Sequence, residues 1–375
     1  MRRLLSTGVV LFMATTALAQ VHNKVLFDAT KAQMAANADW VIDASTYNIG
    51  TGTGGAMTVG AGNEANPSRY PSPAQSGITS TTAETYWKGA SSSWAVALVK
   101  QGFTVETLPI GARLTFGDAT NAQDLSTYGI FITIEPNIKY TTAEKTAIVK
   151  FVAAGGGFFM VADHTSSDRN SDGFDSLEVL NDVVNSNGIA SNVFGITFNV
   201  LNYSVTSSTV STLATDPLIH GAAGAVAQMK YSAGTTMTVN NTAAKGSIFR
   251  TSSRSNSDVM AAYATYGAGK VAACGDSSPF DDGTGDTGDT LYFGWTDVSG
   301  DHAQLAINAC LWMNPPVPPP PCPSDLSGDN VVGGEDMGLL LLDFGACTGC
   351  PADLNGDNSV GGDDMGLMLL DWGAC

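Results

Sequence analysis

The chain has 375 residues, 43% of them hydrophobic and only 14% charged, with a formal net charge of −18. That length and apolar share exclude a disordered polypeptide and leave room for one large domain and one small one. So acidic a balance excludes nucleic-acid binding through the general field and favours cations.

At the N-terminus, Arg2 and Arg3 precede a mostly apolar run from Leu4 to Leu18, and Ala17-Leu18-Ala19 fits a small-x-small cleavage pattern. Residues 1–19 are therefore expected to be a secretory signal, with the mature chain starting near Gln20. The run is short for a spanning helix and no second one follows, so no membrane span is expected once it is removed. The expected location is secreted, periplasmic or at the cell surface.

From residue 20 to 313 strand-like and helix-like stretches alternate. Lys24–Phe27, Phe103–Leu108, Tyr128–Ile134, Phe158–Ala162 and Lys270–Ala273 read as strands. Trp94–Gln101, a helix opened by a Thr141/Glu144 capping box, Asp175–Asn185 and His302–Met313 read as helices. Such alternation predicts an α/β domain with a doubly wound, mostly parallel, flavodoxin-like sheet. The Val-, Thr- and Ser-rich stretch from Gly188 to Asp258 is expected to add antiparallel strands.

Polar residues cluster where the strands end. Gly155-Gly-Gly-Phe-Phe-Met-Val-Ala-Asp163-His164 runs from a helix end through a buried strand to its carboxyl edge, where open α/β sheets bind ligands. With Tyr128–Pro136 and Gly267–Asp276, this segment resembles the class I glutamine amidotransferase-like superfamily, in its trehalose-utilisation (ThuA-like) branch. The resemblance implies a nucleophilic cysteine after this strand. Asp163 and His164 stand there instead, which argues against glutaminase chemistry. Cys274 follows another strand and reads as buried, or disulfide-linked to Cys310.

Two acidic loops follow. Asp168, Asn170 and Asp172, with Gly173, form the first half of a calcium loop, with Glu178 within reach, or else an acidic turn capping the next helix at Asp175. Asp276, Asp281, Asp282, Asp286 and Asp289 punctuate the second. Both loops leave one sheet edge and are expected to converge with Asp163, His164 and Asp28. Thr51–Gly55 and Gly267–Lys270 lack the spacing of phosphate loops and read as turns. His22, His220 and His302 carry no pairing signal.

A proline tract, residues 314–321, separates a tail at 322–375. The tail is a duplication. Cys322–Cys347 and Cys350–Cys375 differ at only six of 26 aligned positions, so one structural unit is used twice. In each copy oxygen-bearing residues alternate as a hard cation requires: Asp325, Ser327, Asp329, the Val331 carbonyl and Asp336, then Asp353, Asn355, Asp357, the Ser359 carbonyl and Asp364. Asn330 and Asn358 take the position that calcium loops give to glycine, and Asn is the next most tolerant of a left-handed backbone. Water is expected at Gly333 and Gly361. Apolar helices at Met337–Leu342 and Met365–Leu370 are expected to cover each other.

This duplicated loop-plus-helix pattern resembles the dockerin family. The resemblance implies two calcium ions, a small all-α module and a cohesin-like or cell-surface partner. Gly334-Glu335 and Gly362-Asp363 replace the Ser-Thr pairs of the best-known cellulosomal dockerins, which leaves docking and a merely calcium-stabilised tail both open. Four tail cysteines allow three pairings, of which within-repeat bonds are the simplest. For the large domain three readings follow: a binding domain displayed by its tail, with one further ion; a metal-assisted hydrolase using Asp163 and His164, on carbohydrate; or a surface-assembly component.

Overall fold

The computed structural model describes residues 23–35, 38–43, 49–51, 57–59, 73–240, 242–284, 292–314, 322–329, 331–347 and 350–374. The expected signal, most of the proline tract, His22, residues 52–55, Asn330, Asp286, Asp289 and Cys375 lie outside them. The chain divides into two compact units, Met1–Pro316 and Val317–Cys375.

The larger unit is α/β. Its main sheet has ten strands, numbered in chain order: β1 Lys24–Asp28, β2 Thr104–Leu108, β3 Ile130–Ile134, β4 Gly157–Val161, β5 Ile196–Phe198, β6 Thr209–Val210, β7 Met237–Val239, β8 Ala244–Phe249, β9 Val259–Tyr266 and β10 Gly269–Cys274. Strands β2-β1-β3-β4-β10 pair in that order and all in parallel. From β10 the sheet continues antiparallel through β9, β8 and β6, while β7 pairs with β9 and β5 pairs with β7. Half the strands thus belong to the antiparallel extension.

Four helices cover the sheet: α1 Ser92–Lys100, α2 Thr142–Ala153, α3 Ser176–Asn185 and α4 His302–Met313. The central parallel strands β3 and β4 are buried at every position because both faces are covered. Phe27, Ile132, Phe159 and Cys274 pack with Trp94 of α1 and Leu305 of α4. Leu26, Phe131, Phe158 and Ala273 pack with Ile148 of α2 and Leu180 of α3. The Thr141 hydroxyl accepts from Glu144 N while Glu144 accepts from Thr141 N at 2.7 Å, closing the capping box of α2. Strand β2 is the outer end of the parallel run. There the Gln75 amide substitutes for a neighbouring strand, donating to Val105 O at 2.8 Å and accepting from Val105 N at 3.0 Å. Such pairing blunts an edge that would otherwise recruit another strand.

The smaller unit contains α5 Gly334–Leu342 and α6 Gly362–Leu370, but it is not all-α. Val331–Val332 pairs antiparallel with Gly373–Ala374, and Gly345–Ala346 with Ser359–Val360. Each acidic loop is therefore tied to the segment that leaves the other repeat's helix, which makes the two copies one folding unit. Their shared core is Val332, Leu340, Ala352, Val360 and Met368. The helices do not cover each other fully. Leu341, Leu342, Leu369 and Leu370 are exposed, because successive residues on a helix diverge by about 100° and four leucine-type residues in a row cannot share one face.

The disulfide expectation is corrected here. Cys347 bonds to Cys350 across the junction of the repeats, with Cα atoms 5.9 Å apart, rather than to Cys322, which is itself disulfide-bonded. The pairing of each repeat with the other's exit draws the junction together, as shown by Cys347 N donating to Asn358 O. Cys274 and Cys310 are buried free thiols, not a disulfide.

Candidate functional site

Parallel pairing places the ends of β3, β4 and β10 level, since Ile134, Val161 and Cys274 share one register row. The next residues leave the sheet together. Glu135 accepts the sharp turn with φ +46°, a left-handed conformation that non-glycine residues hold only where the surroundings enforce it. Asp163 and Asp276 follow from β4 and β10.

Asp163, His164, Arg169, Asp276 and Ser277 line a cleft of about 160 Å³ at this edge. Arg169 is its hub. Its Nε donates to Glu135 Oε1 and its Nη2 to Asp163 Oδ2, both at 3.0 Å. Glu135 Oε2 also accepts from Ser277 Oγ at 2.8 Å and Trp40 Nε1 at 3.1 Å. Asp276 accepts from the backbone N–H groups of Ser232 at 2.7 Å, Ala233 at 3.2 Å and Ser278 at 2.8 Å. His164 Nδ1 lies 2.6 Å from the Thr165 carbonyl. The Asn202 amide is 2.9 Å from the same nitrogen. Nε2 lies 4.0 Å from Asp163 Oδ2.

Two carboxyls, Glu135 and Asp163, share one guanidinium here, and Asp276 lines the same cleft beside them. Burial, then the Asp163 charge, lifts Glu135 well above the usual carboxylate range despite Arg169. Burial and Asp163 likewise lift Asp276 to about 8. The cluster favours retention of protons, as low-dielectric surroundings dictate for excess like charge. Burial also pushes the Cys274 thiol up to about 12, the opposite of an activated nucleophile.

The cleft thus unites Asp163, His164 and Asp276, as expected of them, but not the other residues. Asp28 faces elsewhere, accepting from Tyr140 Oη at 2.5 Å and Thr30 Oγ1 at 2.7 Å. Asp282 caps α1, accepting from Ser92 Oγ at 2.6 Å and Ser93 N at 2.7 Å. Asp168 accepts from the N–H groups of Asp172 and Gly173, and Asp172 from that of Phe174. Asn170 is buried in the same loop. Asp175 holds the preceding turn through Ser166 N and Ser167 N, and Glu178 Oε2 accepts from Asp175 N. These contacts match the turn-capping alternative for the loop. His302 is a structural histidine, donating to Gly294 O and accepting from Lys230 N. Glu135, Arg169, Ser277 and Trp40 were not singled out by sequence reasoning. They are distant along the chain and carry no spacing signal.

In the smaller unit one acidic loop brings together carboxylates that could hold a metal ion. Carboxylate oxygens of Asp325, Asp329 and Asp336 lie within 4.8 Å of one another. Asp336 is buried at the start of α5, accepting from Ser327 N and Gly333 N at 2.8 Å. Burial works to raise it, yet these N–H groups hold it below the usual range. Asp364 repeats this with Gly361 N and Asn355 N, and is lowered by those bonds. Asp353 accepts from Gly356 N, Asp357 N and Asn358 N, and Asn355 Nδ2 donates to Asp357 Oδ2. Asn358 adopts φ +68°, the left-handed turn expected at that position. Ser327 Oγ lies 3.2 Å from Asp325 Oδ1, and Val331 and Ser359 stand at the pairs of short strands. Oxygen-bearing side chains that converge in this way are of the kind that could hold a hard divalent cation. Among the described residues no helix is long and apolar enough to cross a membrane.

No family model matches the chain, and no curated protein does. Solved structures similar to it include the mmIFT52 N-terminal domain, at 16% identity and TM-score 0.39, covering 60% of this chain and 89% of that one. A cytoplasmic protein of Salmonella typhimurium, STM3548, is 10% identical with TM-score 0.40, covering 77% and 98%. A β-galactosidase from Rahnella sp. R3 is 15% identical with TM-score 0.31, covering 50% and 25%. Likenesses this slight carry no argument.

Proposed function

We propose that the protein is an exported, calcium-dependent attachment protein: a dockerin-like tail binds two calcium ions and anchors an α/β binding domain to a cohesin-like or cell-surface partner. The observation that carries this reading is the convergence of Asp325, Asp329 and Asp336 at the head of a helix whose far side is bare leucine. Leu342 and Leu370 are 82% and 83% exposed at equivalent positions of the two repeats, as befits an interaction surface. The strand order β2-β1-β3-β4-β10 is that of flavodoxin-like sheets, which supports a doubly wound domain as the cargo. Titration calorimetry of the full chain with calcium tests the reading. Two sites per chain are expected, with loss of helical signal on adding chelator. A spectrum and melting curve indifferent to both calcium and chelator would exclude it.

A second reading, hydrolysis through Asp163 and His164, draws support from their place together in one cleft. Arg169 weighs against the metal-assisted form, because it already engages the Asp163 carboxylate. Glutaminase chemistry is disfavoured by the buried, un-ionised Cys274.

A further inference from the structure

The cleft at Asp163 is one end of a longer groove. Ser278 and Tyr292 line it and also line an adjoining cavity of about 460 Å³, a size typical of small-molecule sites. Along the outer part, Tyr292 and Phe293 are 42% and 65% exposed. These rings are fixed rather than loose. Tyr292 N donates to the buried Asp281 at 3.0 Å. Phe293 lies so close to Gly283 that a Cβ there would come within 2.3 Å of its ring. Trp295 N is held by Asp281 O at 2.9 Å and its indole by Glu84 at 2.6 Å. An exposed aromatic pair on an anchored segment exposes apolar area that a ligand can cover.

The polar groups define what that ligand is. Both cations of the groove are neutralised within it, Arg169 by Glu135 and Asp163, and Lys230 by Asp297 at 2.7 Å. Asp276 adds a carboxyl with no cation of its own. Among the described residues no uncompensated positive charge lines the groove to attract a phosphate, a sulfate or a uronic acid, and the acidic chain repels them. Hydroxyls and carboxyls, at Ser277, Ser278, Asp163 and Asp276, offer both donors and acceptors. A ligand with an apolar face for the rings and many hydroxyls for the rest matches this surface.

We propose that the groove from His164 to Phe293 binds a neutral glycan, with Tyr292 and Phe293 stacking on sugar rings at the outer end. The inference concerns the α/β unit and does not rest on the calcium reading of the tail. Titration calorimetry of the full chain against three neutral hexamers, β-1,4-glucan, α-1,4-glucan and chitin oligosaccharide, tests it. Oligogalacturonate and spermine serve as the anionic and cationic counterparts. Saturable binding of at least one neutral hexamer is expected, tighter than either charged probe. Tyr292→Ala and Phe293→Ala should each weaken it by about ten-fold, the effect of losing one good ring contact, with melting temperature unchanged. The affinity should survive chelator, which separates this result from any failure of the tail reading. Absence of binding to all three hexamers at millimolar concentration overturns the proposal. So does preference for a charged probe, or affinity unaffected by both aromatic substitutions.

Discussion

Arg169 donates to Asp163 Oδ2 at 3.0 Å from a loop six residues further along the chain. The same guanidinium reaches Glu135 across the sheet edge. One cation thus holds together the exits of β3 and β4. Removing one partner of a buried ion pair costs about 3–5 kcal/mol, because the remaining charges stay buried without compensation. Arg169→Met is therefore expected to destabilise the α/β unit by that order in denaturant unfolding. Adding Glu135→Gln to it should restore part of the loss. A neutral effect of Arg169→Met would show that the cluster is solvated and not a structural hub.

The buried carboxyls give stability a definite pH slope. Asp276 is raised to about 8, and burial raises Asp281 to about 7. The folded state holds these protons more tightly than the unfolded chain, whose carboxyls titrate near 4. Their contribution is full below that pH and is lost as pH rises through 7 and 8. Each such group lowers stability by up to about 1.4 kcal/mol per pH unit across the window. Unfolding followed by tryptophan fluorescence should give a melting temperature that declines from pH 5 to pH 8. Asp281→Asn should flatten the decline. A melting temperature that climbs over this range would contradict the assignment.

The tail responds in the opposite sense. Asp336 and Asp364 are held low in the fold, so their contribution is present above pH 4 and lost as pH falls through their folded range. Calcium binding needs the same ionised forms. Asp336→Ala or Asp364→Ala should each reduce the calcium stoichiometry from two to one, and the double variant should bind none. Retention of both ions in either single variant would place the cation elsewhere.

Much of this architecture was legible because its signals are local. The mostly apolar runs Ile130–Ile134 and Gly157–Val161 are buried strands. Thr141 and Glu144 mark a helix start within four residues of each other, and the glycine triplet that follows marks its end. Asp163 and His164 were readable as site residues because a polar pair directly after a buried strand must emerge at its edge. The partners of that pair were not readable. Arg169 meets Glu135 only because β3 and β4 are neighbours in register, and Ser277 meets Glu135 from the end of β10, 142 residues away. Such contacts are products of topology and leave no periodic trace. The exposed leucines of α5 and α6 were misjudged for a related reason. Hydropathy alone does not say which of four adjacent apolar residues a short helix turns outward.

Cysteine pairing shows the same limit and yields a last prediction. Spacing made within-repeat bonds look simplest, and each would have closed a loop of 26 residues, worth about 3–4 kcal/mol in chain entropy. The observed Cys347–Cys350 bond spans a sequence separation of 3. So small a loop removes little freedom from the unfolded chain, about 2 kcal/mol on the same scale. Its effect on the tail is then to fix the junction between repeats rather than to staple either one. Cys347→Ser with Cys350→Ser should therefore lower tail stability by no more than about 2 kcal/mol in calcium, with both ions still bound. Proteolysis between the repeats followed by mass measurement should find Cys347 and Cys350 linked. Recovery of a peptide joining Cys322 to Cys347, or complete unfolding of the double variant in calcium, would restore the within-repeat arrangement.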